Sequence, residues 1–200
     1  YGLGWGIQDY HGRMVVSHGG GYDGMFSRQA LVPEEDLGVI VLTNSMTGVA
    51  SALVNRVLDA YLGGDERDWS EEGLVNWTRA RERFEARQDA AEAGRIGGTS
   101  PSLPLEAYAG RYGGEMYGDA TVSVEDGGLV LRLFPNPDLV ADLEHLHFDT
   151  WIVRWRTELA WFGKGTAQFI MDASGAVIEM KMDVPNQDLW FDELEFLRRD

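Results

Sequence analysis

The second half of the chain is dominated by short apolar segments at regular spacing, and this feature constrains the fold most. From Leu103 onward, eight such segments follow one another without helical periodicity. Turns such as Asp126-Gly127-Gly128 and Ala173-Ser174-Gly175 separate several of them. Many short strands in succession predict a small antiparallel barrel or sandwich. The predicted strands cover 108–112, 120–124, 129–134, 140–148, 151–155, 167–171, 177–182 and 189–196.

The first third of the chain predicts an antiparallel sheet followed by a helix. Large residues alternate with small or polar ones over 1–7, which is the period of a strand. Further strands are predicted over 13–18, 26–32 and 37–43, with polar turns at 11–12 and 33–36. An apolar stripe with a spacing of four predicts a helix over 47–62 that packs on the sheet. Its caps are Asn44, Ser45 or Thr47 at the start and Gly63-Gly64 at the end.

Residues 65–102 differ in composition from both flanking parts. The segment 71–95 is rich in alanine, glutamate and arginine, which predicts a solvated helix, and a flexible joint follows at 97–101. We therefore predict a sheet-and-helix part over 1–64, a helical linker over 65–102 and a barrel domain over 103–200. The fold class is α+β: an antiparallel sheet fragment with a packed helix, then a small antiparallel β-barrel.

Composition excludes several classes of function. The chain has 33 acidic and 17 basic residues. The resulting net charge of −16 repels phosphate backbones and anionic membrane surfaces. We expect no nucleic-acid partner and no membrane insertion, since the longest apolar run, 37–42, is too short to span a bilayer. The absence of cysteine removes disulfides and thiolate chemistry. No cofactor is expected. The chain begins inside a strand pattern without a signal peptide, so we expect that upstream sequence is missing.

The stretch Ser17-His18-Gly19-Gly20-Gly21 is where chemistry is expected. Three glycines leave backbone N–H groups bare, so an acyl group can lie along them as an added strand. One of these N–H groups can also stabilise an oxyanion, and His18 can supply positive charge or a hydrogen bond. The alternative is a flexible glycine turn beside a surface histidine.

The surrounding residues resemble the serine hydrolases related to class C β-lactamases, penicillin-binding proteins and their D-amino-acid-specific or esterase-like relatives. Four elements occur in the order found there: Tyr-Gly-Leu-Gly-Trp at 1–5, His-Gly-Gly at 18–20, Gly-x-x-Gly-x-x-Ser at 21–27 and Gly-Val-Ile-Val-Leu-Thr-Asn at 38–44. The resemblance covers about the first 63 residues. It implies that His18 and the Gly21 N–H are catalytic and that Gly19, Gly20 and Tyr22 bind substrate. It implies no metal.

Two motifs of that family are missing. No serine is followed three residues later by lysine, and no tyrosine is followed two residues later by asparagine. Without a nucleophile and base, no acyl-enzyme can form, so this chain alone is expected to be inert. The resemblance implies a parent that cleaves an amide or ester in a small molecule or peptide. For that parent it suggests a bacterial periplasmic or extracytoplasmic location. Loss of upstream partners would uncover the sheet, so self-association is expected.

The second half resembles the lipocalin-like domain often appended to these hydrolases, because 105–112 reads as its usual opening. A non-enzymatic module is the alternative function, with the barrel binding a ligand or a partner subunit. An apolar ligand could contact Trp151, Trp155, Trp161 and Phe169, although a barrel of this size more often fills with its own side chains. His145 and His147 could suggest a metal, but two histidines alone make a weak site.

Overall fold

A computed structural model describes residues 1–22, 24–64, 66–116, 118–134, 136–158, 162–186 and 189–199. The chain divides into two compact units, Tyr1–Arg83 and Phe84–Asp200. This division falls inside the predicted helical linker.

The first unit contains a four-stranded antiparallel sheet in the order β1-β2-β3-β4. Its strands are β1 Gly6–Tyr10, β2 Arg13–Tyr22, β3 Met25–Val32 and β4 Leu37–Thr43. His11 and Gly12 form the turn between β1 and β2 with φ of 51° and 76°, the left-handed conformation that a two-residue hairpin turn requires. A single 3₁₀ turn, Pro33–Glu35, joins β3 to β4.

Two helices belong to the first unit in whole or in part, α1 Val49–Leu62 and α2 Trp69–Ala93. As predicted, α1 packs on the sheet: its Val54 and Leu58 are buried against Val15, Ala30 and Val32. The helix ends at Gly63, whose φ of 76° lets its N–H bond to the carbonyl of Asp59. By contrast, the predicted side-chain cap at Asn44, Ser45 or Thr47 is wrong, because Gly48 occupies the N-cap without a side-chain hydrogen bond.

Asp59 ties three elements of the first unit together. This carboxylate, 5% exposed on α1, accepts hydrogen bonds from the Tyr10 hydroxyl of β1 and from Trp69 Nε1 of α2, the latter at 2.5 Å. Burial opposes its ionisation, but the hydrogen bonds from Trp69 and Tyr10 outweigh this, and the pKa of Asp59 lies below its ordinary value. Burial together with the Asp59 contact raises the pKa of Tyr10 to about 12.

The helix α2 is polar, as the composition of 71–95 predicts. None of its described residues is buried. Asp68 caps its first turn, where Oδ1 accepts hydrogen bonds from the N–H groups of Ser70 at 3.1 Å and Glu71 at 2.9 Å. Within the described residues, no helix is long and apolar enough to cross a membrane.

The second unit contains a closed antiparallel barrel of eight strands. A short helix, α3 Leu105–Tyr108, precedes it. The strands are β5 Gly110–Gly113, β6 Asp119–Glu125, β7 Gly128–Leu133, β8 Val140–His147, β9 Thr150–Trp155, β10 Gly165–Met171, β11 Val177–Asp183 and β12 Leu197–Arg198. Closure occurs through β12, which pairs with β11 on one side and β5 on the other.

Side chains fill the described part of the barrel interior. Tyr108, Tyr112, Trp151 and Phe169 contact one another edge to face, with ring centroids 4.7 to 5.7 Å apart. The Tyr108 hydroxyl donates to Asp149 and accepts from the Leu103 N–H at 3.1 Å. Burial and this carboxylate raise the pKa of Tyr108 to about 12. These contacts fasten the segment before β5 to the β8–β9 turn.

Two predicted strands are wrong in part. Residues 1–5 form a tight turn, because Leu3 and Gly4 adopt φ of 51° and 83° and Gly2 pairs with Trp5. The strand predicted over 189–196 is instead a loop with a 3₁₀ turn, Phe191–Glu193. Its two buried aromatic residues, Phe191 and Phe196, are five positions apart, which does not fit the period of a strand. The closing strand is Leu197–Arg198.

Candidate functional site

The predicted site residues lie on β2, whose side chains alternate between the two faces of the sheet. Val15 and Ser17 are buried on the face that α1 covers, and Gly19 and Gly21 continue that face. His18, Gly20 and Tyr22 are exposed on the opposite face. The strand therefore presents the imidazole on one face while two of the three glycines belong to the other.

The edge of β2 beyond Ser17 is open. Pairing with β1 ends at Gly6 opposite Ser17. Tyr10 and Arg13 flank the two-residue turn and therefore form a hydrogen-bonded pair. From Arg13 onward, every second residue of β2 directs its backbone N–H and C=O groups towards the β1 side. This alternation aims the backbone groups of Gly19 and Gly21 at the same edge. There, none of the described residues pairs with them.

Neighbouring atoms leave little space for a side chain at two of the three glycines of β2. A Cβ added at Gly21 would lie 2.9 Å from Met46 Cε and 3.0 Å from Phe26 Cδ2. One added at Gly19 would lie 3.0 Å from the Ser27 carbonyl oxygen and 3.2 Å from Arg28 Cδ. At Gly20, nothing lies within 4 Å. A side chain at position 19 or 21 would therefore require these neighbours to shift, and Gly20 leaves the exposed face bare beside His18.

His18 is exposed, and its ring meets the ring of Trp5 edge to face at a centroid distance of 6.2 Å. Gln29 of β3 lies directly opposite it. Tyr22, at the far end of β2, pairs with Met25 and is 78% exposed. Both side chains can contact a molecule that lies on this face.

A pocket of about 360 Å³ lies beside the first residues of β1. Its polar lining includes Gln8, Ser17, His18 and Arg28. Arg28 lies opposite Gly19 on β3, and its Nη2 donates to Ser17 Oγ at 3.1 Å. Reasoning from sequence assigned no role to Arg28 or Ser17. The pairing of Tyr22 with Met25 sets the register that places position 28 opposite position 19.

The second unit provides weaker candidates for a functional site. His145 Nε2 lies 2.9 Å from the carbonyl oxygen of Phe148, and a bulge separates His145 from His147. Among the described residues, no group of three or more His, Asp or Glu side chains is placed to hold a metal ion. Of the aromatic residues predicted to line a ligand cavity, Trp151 and Phe169 belong to the packed interior. Trp161 lies outside the described residues.

Comparison with known proteins gives one family match. Residues 95–198 match the family described as domain of unknown function DUF3471. Such domains occur at the C-terminal end of hydrolases that resemble β-lactamases and penicillin-binding proteins.

Two curated fungal proteins are similar to the chain. Unguisins hydrolase ungD of Aspergillus violaceofuscus is 30% identical over 144 residues, covering 64% of this chain and 24% of the relative. Unguisins hydrolase ungD' of Aspergillus campestris is 29% identical over 131 residues, covering 61% and 24%. The chain therefore spans about a quarter of the length of these relatives.

Solved structures with some likeness include the C-terminal domain of a penicillin-binding protein. It is 31% identical with a TM-score of 0.41, covering 53% of this chain and 94% of that one. SurE with D-Leu is 18% identical with a TM-score of 0.39, covering 100% of this chain and 38% of that one.

Proposed function

The chain belongs to the DUF3471 family, and we propose that it is the C-terminal part of a β-lactamase-like serine hydrolase in which β2 forms one edge of the acyl-binding site. The observation that carries this proposal is the unpaired edge of β2 at Gly19 and Gly21. Two relatives named as hydrolases support it, and both are about four times as long as the matched part. The substrate is an amide or ester in a small molecule or peptide.

Each site residue has a role in this proposal. The substrate's acyl part lies along the open edge as an added strand and bonds to the backbone of Gly19. The Gly21 N–H donates to the oxyanion of the tetrahedral intermediate, where a preorganised donor stabilises charge most. His18 lends positive charge or a hydrogen bond beside the reacting group. Gly20 and Tyr22 provide the surface on which the substrate rests.

The nucleophile comes from upstream sequence in this proposal. Within the chain, no Ser-x-x-Lys and no Tyr-x-Asn are present. An oxyanion donor without a nucleophile and base does not form an acyl-enzyme. The chain by itself therefore binds and positions the substrate but does not hydrolyse it.

Ligand binding inside the barrel is not favoured as a second function. The aromatic cluster of Tyr108, Tyr112, Trp151 and Phe169 occupies the interior in direct contact. An apolar ligand would have to displace these side chains at the cost of their packing.

Replacing His18 with alanine in a polypeptide extended upstream should cut hydrolysis sharply. Loss of one preorganised charge or hydrogen bond at the reacting centre lowers kcat/KM by about 100-fold. The measurement is turnover of a chromogenic ester or β-lactam. His11→Asn serves as the control, since asparagine tolerates the left-handed turn conformation and His11 lies away from the open edge. Unchanged turnover in the His18→Ala variant would show that His18 does not contribute to catalysis.

Self-association is expected through the open sheet face, which we define by Ile7, Met14, His18, Ile40 and Leu42. Ile40 and Leu42 on this face are 67% and 75% exposed. Adjacent exposed apolar side chains on a sheet favour association. Light scattering should report dimers or larger species, and Ile40→Lys with Leu42→Lys should shift them towards monomer. Val75→Lys on α2, 44% exposed, is the matched control. A clean monomer of the unaltered chain would contradict this expectation.

A further inference from the structure

Gly21 carries the proposed oxyanion donor, yet its own strand does little to hold it in place. Glycine has more backbone freedom than any other residue. Pairing of β2 with β1 ends at Gly6 opposite Ser17, so the Gly21 N–H has no ladder bond on that side within the described part of the chain. A donor stabilises an oxyanion well only when it is in position before the reaction begins. The proposed role of Gly21 therefore requires support from neighbouring groups.

Met46, in the segment between β4 and α1, supplies such support. A Cβ at Gly21 would lie 2.9 Å from Met46 Cε and 3.1 Å from Met46 Sδ, so the thioether packs against the α-carbon of this glycine. Phe26 lies opposite Gly21 on β3, and its Cδ2 would be 3.0 Å from the same position. At Gly19, the three nearest atoms belong to other residues of β3. The contact with Met46 therefore distinguishes the oxyanion donor from the other glycine of the open edge.

Hydrogen bonds fix the segment that carries Met46. Trp77 Nε1 of α2 donates to the carbonyl oxygen of Met46 at 3.3 Å. The Thr43 hydroxyl, at the end of β4, lies 2.9 Å from the carbonyl oxygen of Ser45 and can donate to it. The indole belongs to a different element from the strand and the segment that follows it. Trp77 thus fixes the backbone of Met46 and, through it, the thioether that packs on Gly21.

A cavity beside this segment increases the importance of the Trp77 hydrogen bond. The cavity has a volume of about 260 Å³, and its lining includes Thr47 and Gly48 before α1 and Gly73 and Trp77 of α2. A Cβ at Gly73 would have nothing within 4 Å. Atoms that face empty space lose dispersion contacts on that side. The hydrogen bond from Trp77 therefore contributes more to holding this segment than it would in a filled interface.

We propose that Met46, held by Trp77, is a positioning residue that fixes the Gly21 N–H where the oxyanion forms. The inference rests on the proposed function, because the oxyanion is that of the acyl transfer proposed for the extended protein. Met46 acts through Gly21 and takes no part in making or breaking bonds.

NMR of the 200-residue chain, isotope-labelled at glycine, tests the support independently of activity. In Met46→Ala, the order parameter of the Gly21 N–H should fall from about 0.85 to about 0.6, from a rigid to a flexible backbone. The Gly19 N–H should keep its native value. Met46→Leu should preserve the order of Gly21, since the two side chains exchange with little loss of packing. Trp77→Phe removes the donor but keeps an aromatic ring, and should loosen Gly21 to a smaller extent.

Kinetics of a polypeptide extended upstream of Tyr1 test the catalytic consequence. Met46→Ala should lower kcat for a chromogenic ester about tenfold and leave KM within about twofold, because the N–H stabilises the transition state more than the bound substrate. Met46→Leu should restore most of kcat. Met116→Ala and Trp190→Phe are the matched controls, at positions 81% and 60% exposed in the second unit, and should leave both constants unchanged.

The outcomes separate this inference from the proposed function. Turnover by the native extended polypeptide, with kcat or the order of Gly21 unchanged in Met46→Ala, would overturn the inference and leave the proposed function standing. A Met46→Leu variant as slow as Met46→Ala would also overturn it, since packing would then not be the cause. Failure of the native extended polypeptide to turn over would overturn the proposed function, and the positioning role would fall with it. Native dispersion of the other glycine amides confirms that each variant is folded.

Discussion

Replacing Asp59 with alanine is expected to lower the free energy of unfolding of the first unit by about 3 kcal/mol, since it leaves two donors without their acceptor. Those donors are the Tyr10 hydroxyl and Trp69 Nε1, which come from β1 and α2. The carboxylate is the point at which both elements are fastened to α1. Asp59→Asn should cost less, because its carbonyl oxygen still accepts one of the two bonds.

Hydrogen exchange of peptides from β2 and β3 at increasing urea concentration measures the loss of unfolding free energy that Asp59→Ala causes in the first unit. Glu66→Ala, at an exposed position, is the control and should change exchange little. The difference between the native chain and Asp59→Asn should also depend on pH. Because the folded-state pKa of Asp59 is lowered, its stabilisation is present above the unfolded-state pKa of about 4 and is lost on further acidification. A difference that is constant from neutral pH to below that value would contradict the account.

Local pattern predicted most of the architecture. Gly63 after the apolar stripe of α1 ended that helix, because only its left-handed conformation satisfies the last carbonyls. The short apolar segments and turn signals of the second half predicted six of the barrel strands closely, from β6 to β11, whereas the segment predicted over 108–112 begins in α3. The failures arose where the pattern was ambiguous. Alternation over residues 1–5 is equally compatible with the glycine turn that forms, and β12 is too short to show a period.

The sequence predicted the strand and the motif of the candidate site, but it did not predict that the edge of this strand is unpaired. The residue sequence placed His18 beside three glycines, yet the open edge depends on where β1 stops pairing, at Gly6. The position of Arg28 opposite Gly19 was missed because it depends on cross-strand register. Asp59 was missed because nothing local distinguishes a buried carboxylate on a helix from a solvated one. The roles of His18, Gly19, Gly20, Gly21 and Tyr22 stay predictions, as do the two boundaries between the predicted parts and the lipocalin-like assignment of the barrel.

An all-or-none difference in acylation is expected between the chain and a polypeptide extended upstream of Tyr1. The chain offers backbone donors at Gly19 and Gly21 but no serine paired with a lysine base. A hydroxyl without a base is a weak nucleophile at neutral pH. The extended polypeptide would supply both groups to the open edge of β2, so that an acyl-serine can form there.

Intact-mass spectrometry after incubation with benzylpenicillin or an activated ester measures this directly, and peptide mapping locates the adduct. The account predicts no adduct on any serine of the 200-residue chain and one equivalent on a serine upstream of Tyr1 in the extended polypeptide. Replacing that serine with alanine should abolish the adduct while the protein remains folded. Acylation of a serine within the chain itself, or an extended polypeptide that never forms an adduct, would contradict an acyl-binding edge that lacks its own nucleophile.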